Sequence, residues 1–223
     1  TTGTGTHLGF LTAEELVAVD MKGKKVWGEI EPSSELRMHL CAYAVRPDIR
    51  AVIHAHPPVA TAFSVAGISL AGCVLPEVVL ALGAIPTSPY ATPGTEEVPE
   101  AIRDLLKEYD AILLSHHGTL TVGATLLEAY ARLEKVEHTA RVTLAARQLG
   151  RVRLLTPDQV EKLSRMRESR GMRPFGSLRE PAEVPVYGVN SRRVKVVHTD
   201  GSGLARREPV RPVRRQINRG RTR

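Results

Sequence analysis

The chain holds only two cysteines, Cys41 and Cys73, in 223 residues. They lie far apart and fit no zinc or redox spacing, so they are expected to be buried free thiols of a cytoplasmic protein. No apolar run approaches the ~20 residues needed to span a bilayer, and no signal-peptide pattern opens the sequence. A membrane partner is therefore not expected. No internal repeat is evident. Residues 1–10 are rich in Gly and Thr, yet Gly3, Gly5 and Gly9 have the wrong spacing for a dinucleotide fingerprint, and no strand precedes them.

What is present is an ordinary globular balance, with 42% hydrophobic and 25% charged residues, and enough chain for one domain with an appendage. The net charge of +7 is unevenly placed. Residues 1–150 carry 12 Lys/Arg against 17 Asp/Glu, and residues 151–223 carry 19 against 7. We therefore divide the chain into a domain over 1–150 and a basic, partly irregular C-terminal extension over 151–223. The sequence starts at Thr1 in what reads as mid-domain sequence, so a further N-terminal segment is expected upstream. Residues 204–223 are dense in arginine, and such segments bind phosphates non-specifically. They lack the interleaved aromatics of a single-strand binder, so nucleic acid is not the expected partner; a flexible tail, or one packed on a neighbouring subunit, is.

Helical and strand patterns alternate along the chain. TAEEL reads as an N-capped helical turn from Thr12 to Glu15. Residues 17–20 and 25–27 read as short strands around MKGKK. PSSELRMHLCAYAVRPD opens a helix with Pro32 near its first turn and Pro47 beyond its end. Residues 51–55 read as a buried strand, followed by a helix or turn from Thr61. The stretch from Cys73 to Thr95 is punctuated by Pro76, Pro86, Pro89 and Pro93 and reads as loop. EEVPEAIRDLLKEYD is an amphipathic helix. AILLSHHGTLTVG is a strand, a turn at Gly118 and a second strand. The longest helix follows, with Leu126, Ala129, Tyr130, Leu133 and Val136 on one stripe and Gly150 as its stop. PDQVEKLSRMRESRG is a short charged helix, and VPVYGV and RRVKVVH suggest short strands in the tail. Several strands are too close in sequence for helical crossovers, so the class is α/β or α+β with much antiparallel pairing.

The eight histidines are unevenly placed. In AVIHAHPP, His54 and His56 stand at i and i+2 of a strand, on one face and about 6–7 Å apart at Cα. They are spaced to chelate one ion, and equally to be ordinary polar residues of a strand. Catalytic zinc sites take three protein ligands and leave a position open. LLSHHG offers His116 and His117 at another strand end, where neighbouring residues point opposite ways and only one is expected to bind. His7, His39, His138 and His198 have no such context and are expected to be ordinary histidines.

PSSE, AVIHAHPPVATAFSVAG, SPYATPGT and LLSHHGTLTVGATLLEAYARLEKVEHTA, in this order and at these separations, resemble the class II aldolase/adducin family over roughly residues 2–150. The resemblance implies a three-layer α/β/α sandwich around a largely antiparallel central sheet. It implies that His54, His56 and His117 bind one Zn2+ per chain, with His116 not binding. It makes Glu35 the catalytic acid/base, able to sit on the metal when no substrate is bound. Ser33 and Ser34 match substrate phosphate-binding residues, and Thr4 and Gly5 match a second part of that pocket. The implied assembly is a homotetramer with the active site at a subunit interface.

The chemistry is coherent with these residue types. Retro-aldol cleavage leaves an enediolate, and a divalent ion stabilises that charge as a Lewis acid without a Schiff-base lysine. A carboxylate beside the metal can move protons on and off carbon. Serine hydroxyls at a helix start lie where backbone N–H groups favour phosphate. Alone, PSSE is just as good a capping sequence. The family's N-terminal helix and Gly-Asn phosphate loop would precede Thr1. Where a relative has a tyrosine reaching the neighbouring subunit's site, this chain has Leu75, and Tyr90 matches another position.

The expected function is a zinc-dependent aldolase cleaving a ketose 1-phosphate, such as L-fuculose 1-phosphate, to dihydroxyacetone phosphate and an aldehyde. The alternatives are a pentulose 5-phosphate 4-epimerase, where the carboxylate is an aspartate rather than Glu35, and a sugar-phosphate dehydratase or decarboxylase. A non-catalytic adducin-like interaction protein is the reading from another class, and it predicts lost ligands.

Overall fold

The computed structural model describes residues 1–172. Three strands form the central sheet: β3 (Ala51–Ala55), β4 (Ala111–Leu113) and β5 (Thr119–Gly123). Their order is β3-β5-β4, and both pairings are antiparallel. Strands β1 (Ala18–Val19) and β2 (Lys25–Trp27) make a separate antiparallel ribbon. Beyond β4 the sheet gains a parallel bridge, Thr87 to Leu113, in which Leu113 N–H donates to the Pro86 carbonyl at 2.8 Å.

Alternation along the strands sends side chains into two cores. On one face Val52, Ile112, Leu120 and Val122 meet α1 (Leu36–Val45) and α4 (Glu97–Glu108) through Met38, Ala42, Ile102 and Leu106. On the other face Ala111 and Leu113 meet α2 (Pro58–Val65), α3 (Pro76–Ala81) and α5 (Leu126–Leu149). The result is the expected α/β/α layering. Fully buried side chains such as Ile102 and Leu113 each stabilise it by ~1.5–3 kcal/mol. Cys41 and Cys73 are buried free thiols, as expected.

The helices follow local chemistry. In α4 the buried residues Val98, Ile102 and Leu106 recur every fourth position, with Glu97 and Glu100 in the first turn and Lys107 in the last. Helix α5 is capped by Thr125, whose side chain accepts from Glu128 N–H at 3.1 Å. Its inward face differs from the expected stripe. Leu126 and Tyr130 are exposed, and the helix buries Ala129, Val136, Thr139, Ala140 and Thr143 instead. Small residues let the helix lie close on the sheet, so the large apolar side chains fall outside. Helix α3 occupies part of the stretch read as loop, because Pro76 stands in its first turn, where a proline is tolerated. Helix α1 starts at Leu36 rather than near Pro32.

Residues 151–172 continue against this body. Leu155 N–H donates to the Cys73 carbonyl at 2.8 Å, and Arg167 of α6 (Pro157–Glu168) donates to the Leu80 carbonyl at 2.6 Å. The strands expected in VPVYGV and RRVKVVH, together with His198 and the arginine-dense residues 204–223, lie outside the described residues. No helix among the described residues is long and apolar enough to cross a membrane.

At the sheet end where β4 begins, Arg46 and Asp110 are both buried and pair at 2.9 Å. Arg46 also donates to the Leu106 carbonyl at the end of α4, and Arg132 of α5 reaches the second oxygen of Asp110 at 3.1 Å. Replacing Asp110 by Ala takes from Arg46 its one buried carboxylate partner and from Arg132 one of its two, and is expected to cost about 3 kcal/mol. Asp48→Ala removes only the half-exposed partner of Arg46 and is expected to cost ~1 kcal/mol or less. Urea denaturation of the two variants checks the difference.

Candidate metal centre and active site

Strand β3 carries Val52 and His54 on the face that looks toward α1, and one further alternation brings His56 to the same side. His54 Nδ1 lies 2.9 Å from the Thr119 carbonyl of β5. A carbonyl only accepts, so Nδ1 carries the proton and Nε2 offers its lone pair inward. His117 arrives from the β4–β5 turn, closed by Leu114 N–H to the Gly118 carbonyl at 2.7 Å and His117 N–H to the Leu114 carbonyl at 3.2 Å. His116 takes φ 55°, in the left-handed region, and its exposed ring stands edge-on to Tyr90 with centroids 6.3 Å apart. Gly118 permits the approach of this turn to β3, since a Cβ there would fall 2.5 Å from both the Ala55 carbonyl oxygen and the His56 ring.

Glu35 is the N-cap residue of α1, with its N–H donating to Ser33 Oγ at 3.2 Å. Its two carboxylate oxygens reach His54 Nε2 and His117 Nε2, each at 3.0 Å. His56 Nε2 lies 2.9 Å from His54 Nε2. The ligand atoms of Glu35, His54, His56 and His117 all lie within 4.8 Å of one another. With Nδ1 of His54 committed to a carbonyl, its Nε2 lone pair faces both a carboxylate oxygen and a second imidazole nitrogen. Such crowding of electron pairs is relieved by a cation. The 2.9–3.0 Å separations sit just inside the ~3.3 Å ligand edge implied by tetrahedral ligation at about 2.0–2.1 Å. Three imidazoles and one carboxylate therefore fit a divalent ion, with Glu35 within reach of it.

Electrostatics favour the same use. The Glu35 carboxyl is held below its ordinary range, first by its contact with the His54 ring, so it stays ionised. Burial, then His54, push His117 down and keep its imidazole neutral, the form that ligates.

Ser33 and Ser34 directly precede Glu35, whereas Thr4 lies opposite Glu31, so the pairing leads Thr4 and Gly5 away from Ser34. Residues 2–4 pair antiparallel with residues 31–33, through Thr4 N–H to the Glu31 carbonyl at 2.8 Å and Ser33 N–H to the Thr2 carbonyl at 3.3 Å. Thr4, Gly5 and Ser34 are exposed and Ser33 is half-buried. The SPYATPGT loop lies alongside, pinned by Arg37 donating to the Gly94 carbonyl at 2.7 Å. Leu75 packs against the α2–α3–α5 core and presents no hydroxyl. His7 and His138 are exposed, away from the cluster. His39 is different. One turn after Glu35 on α1, it is pushed down to about 4 by burial and then by His54. Its signal was the i, i+4 spacing from Glu35, which places both on one helix face.

The profile of the Class II Aldolase and Adducin N-terminal domain matches residues 1–144. A 3-oxo-tetronate 4-phosphate decarboxylase of Pectobacterium atrosepticum is 34% identical over 169 residues, covering 73% of this chain and 76% of its own. An L-fuculose phosphate aldolase of Methanococcus vannielii is 39% identical over 141 residues, covering 63% of this chain and 75% of its own. A solved L-fuculose 1-phosphate aldolase superposes with a TM-score of 0.68 at 30% identity, covering 77% of this chain and 79% of that one. The chain belongs to the class II aldolase and adducin family, and it is one of the family's enzymes.

Acid is expected to destabilise the metal-free protein through its histidines before its carboxylates. His39 titrates near 6.5 when unfolded and near 4 when folded, so the unfolded chain takes up the proton first. Its contribution is whole above pH ~6.5 and falls by roughly 3 kcal/mol as the pH drops toward 4. Glu35, also lowered, gives way only below its unfolded value. The urea midpoint measured from pH 7 to 4 in the presence of a chelator is expected to fall, and less steeply in His39→Gln.

Proposed function

We propose that the protein is a zinc-dependent carbon–carbon lyase of phosphorylated sugars, cleaving a ketose 1-phosphate to dihydroxyacetone phosphate and an aldehyde. The observation that supports this best is the convergence of His54, His56 and His117 with the carboxylate of Glu35. His54, His56 and His117 would hold the ion, and the ion when bound supplies Lewis-acid stabilisation of the negative charge that cleavage develops. The chain's own residues do the rest. Thr4, Gly5, Ser33 and Ser34, on two paired backbone segments, would hold the phosphate by hydroxyl and N–H donors. Loss of the C4 hydroxyl proton with breakage of the C3–C4 bond leaves the electron pair on C3. Glu35, protonated in that step, returns the proton to C3, and its approach to two imidazoles fixes the carboxyl beside the reacting carbon. A homotetramer with a shared site accompanies this reading, and exposed Leu126, Leu127 and Tyr130 on α5 offer apolar surface for it.

The second reading is decarboxylation of a 3-oxo acid phosphate, favoured by the longer alignment with the decarboxylase relative. Loss of carbon dioxide also leaves an electron pair next to a carbonyl, which the same cation and the same carboxylic acid can serve. Zinc-reconstituted protein is to be given L-fuculose 1-phosphate, ribulose 5-phosphate and 3-oxo-tetronate 4-phosphate in parallel. Dihydroxyacetone phosphate released from the first is the expected result. Turnover of the second alone makes it an epimerase, and of the third alone a decarboxylase; either outcome overturns the aldolase reading. Glu35→Gln is expected to lower kcat by about 10²–10⁴-fold while about one zinc per chain remains on the histidines.

A further inference from the structure

Helix α2 begins two residues after His56, and its start lacks any cap of its own. The N-cap position is Pro57 and the first helical residue is Pro58, so neither supplies a side-chain acceptor. The first-turn donors are instead met from another helix. Glu137, in the middle of α5, accepts from Ala60 N–H at 2.9 Å with one carboxylate oxygen and from Val59 N–H at 3.4 Å with the other. Its side chain is only 14% exposed, and Arg141 one turn on holds it at 2.9 Å. A carboxylate at this place also opposes the positive end of the helix dipole.

The link to the site is covalent and stiff. Only Pro57 and Pro58 separate His56 from Val59, and Pro57 has φ −64° fixed by its ring. Whatever anchors Val59 and Ala60 therefore also sets the direction in which His56 leaves β3. His56 depends on this more than His54 does. The Nδ1 of His54 is tied to the Thr119 carbonyl, whereas among the described residues the Nδ1 of His56 has no hydrogen-bond partner. Its ring is exposed and is braced by Gly118 on one side. Orientation that a hydrogen bond gives most metal-binding histidines must here come from the backbone.

We infer that Glu137 is a positioning residue of the metal centre, aiming His56 by anchoring the first turn of α2 through the Pro57-Pro58 pair. The inference rests on the metal-site reading of His54, His56 and His117. It is tested on the full chain, stripped of metal, by Zn2+ affinity in competition with a chromophoric chelator and by the visible absorption of the Co2+ form. Glu137→Ala is expected to weaken Zn2+ binding by about 10–100-fold and to change the Co2+ spectrum. Glu137→Gln, which keeps one acceptor oxygen, is expected to stay within a few-fold of wild type. Thr156→Ala, which removes a helix cap from α6, is expected to lower stability and leave metal affinity unchanged. If Glu137→Ala fails to fold, Glu137→Asp, one methylene shorter, carries the same comparison. A folded Ala or Asp variant with wild-type affinity and spectrum overturns the inference, as does an equal loss in Thr156→Ala. A wild-type chain that takes up no metal overturns the metal-site reading beneath it.

Discussion

The register of β3 on β5 is the constraint on which the rest of the site depends. His54 pairs with Leu120 and Ala55 with Thr119, and the second of these pairs lies directly beside the Gly118 turn. Side chains alternate with a period of two, so a slip of one residue would turn His54 toward α5 and bring Ile53 to the α1 face. The same pairing presents the Thr119 carbonyl to His54 Nδ1 and thereby chooses the tautomer that leaves Nε2 free. It also brings Gly118 against His56, a contact that no larger residue allows. One strand pairing thus fixes two ligands and the turn that delivers the third.

The two ends of this sheet carry opposite kinds of polar cluster. At the β4 start, Arg46 and Arg132 share Asp110, Asp48 and Glu128 give each a further carboxylate, and Arg46 binds a carbonyl at the end of α4, a closed arrangement with each charge answered. At the other end, three imidazoles and one carboxylate converge with electron pairs facing one another. Buried charge that is fully paired holds structure, whereas donors that need a cation to be compatible are organised for a ligand. Helix α1 joins the two, since Glu35 stands at its N-terminus and Arg46 at its C-cap.

Much of this was legible because the decisive chemistry lies in residue type and short spacing. The β-branched run containing HAH forms β3 with the bounds read from it, and the strand, Gly118 turn and strand of AILLSHHGTLTVG appear as β4 and β5. The helix over 126–149 stops at Gly150. Other parts depended on what the chain packs against. The inward face of α5 is built of Ala and Thr, and apolar periodicity alone selects Leu126 and Tyr130, which face solvent. Prolines read as loop punctuation also start helices, as Pro76 does. In PSSE the Ser33 hydroxyl takes the Glu35 N–H, and the helix is thereby delayed to Leu36. In the site, the imidazoles and the carboxylate announce themselves by type. The Thr119 carbonyl, the bare Cα of Gly118 and the reach of Glu137 across 77 positions to Ala60 carry no such mark, because each acts through backbone or through distance in sequence.

Aldol cleavage and decarboxylation make the same demand on a centre of this kind. Every such reaction breaks a bond to carbon beside a carbonyl and leaves an electron pair there, so cation and carboxylic acid are common to all. Nothing in that pair distinguishes an aldehyde leaving from carbon dioxide leaving. Discrimination must come from groups that touch the departing part, and these lie at the rim. Toward Ser33 and Ser34 the rim is polar and bound by paired backbone, suited to a group that all substrates share. Toward His116 it is formed by the exposed ring of Tyr90, on a loop that Arg37 and Glu97 pin at Gly94 and Thr92. A loop held by hydrogen bonds beside the bond-breaking groups is a place where substrate range can differ while the bond-breaking step does not.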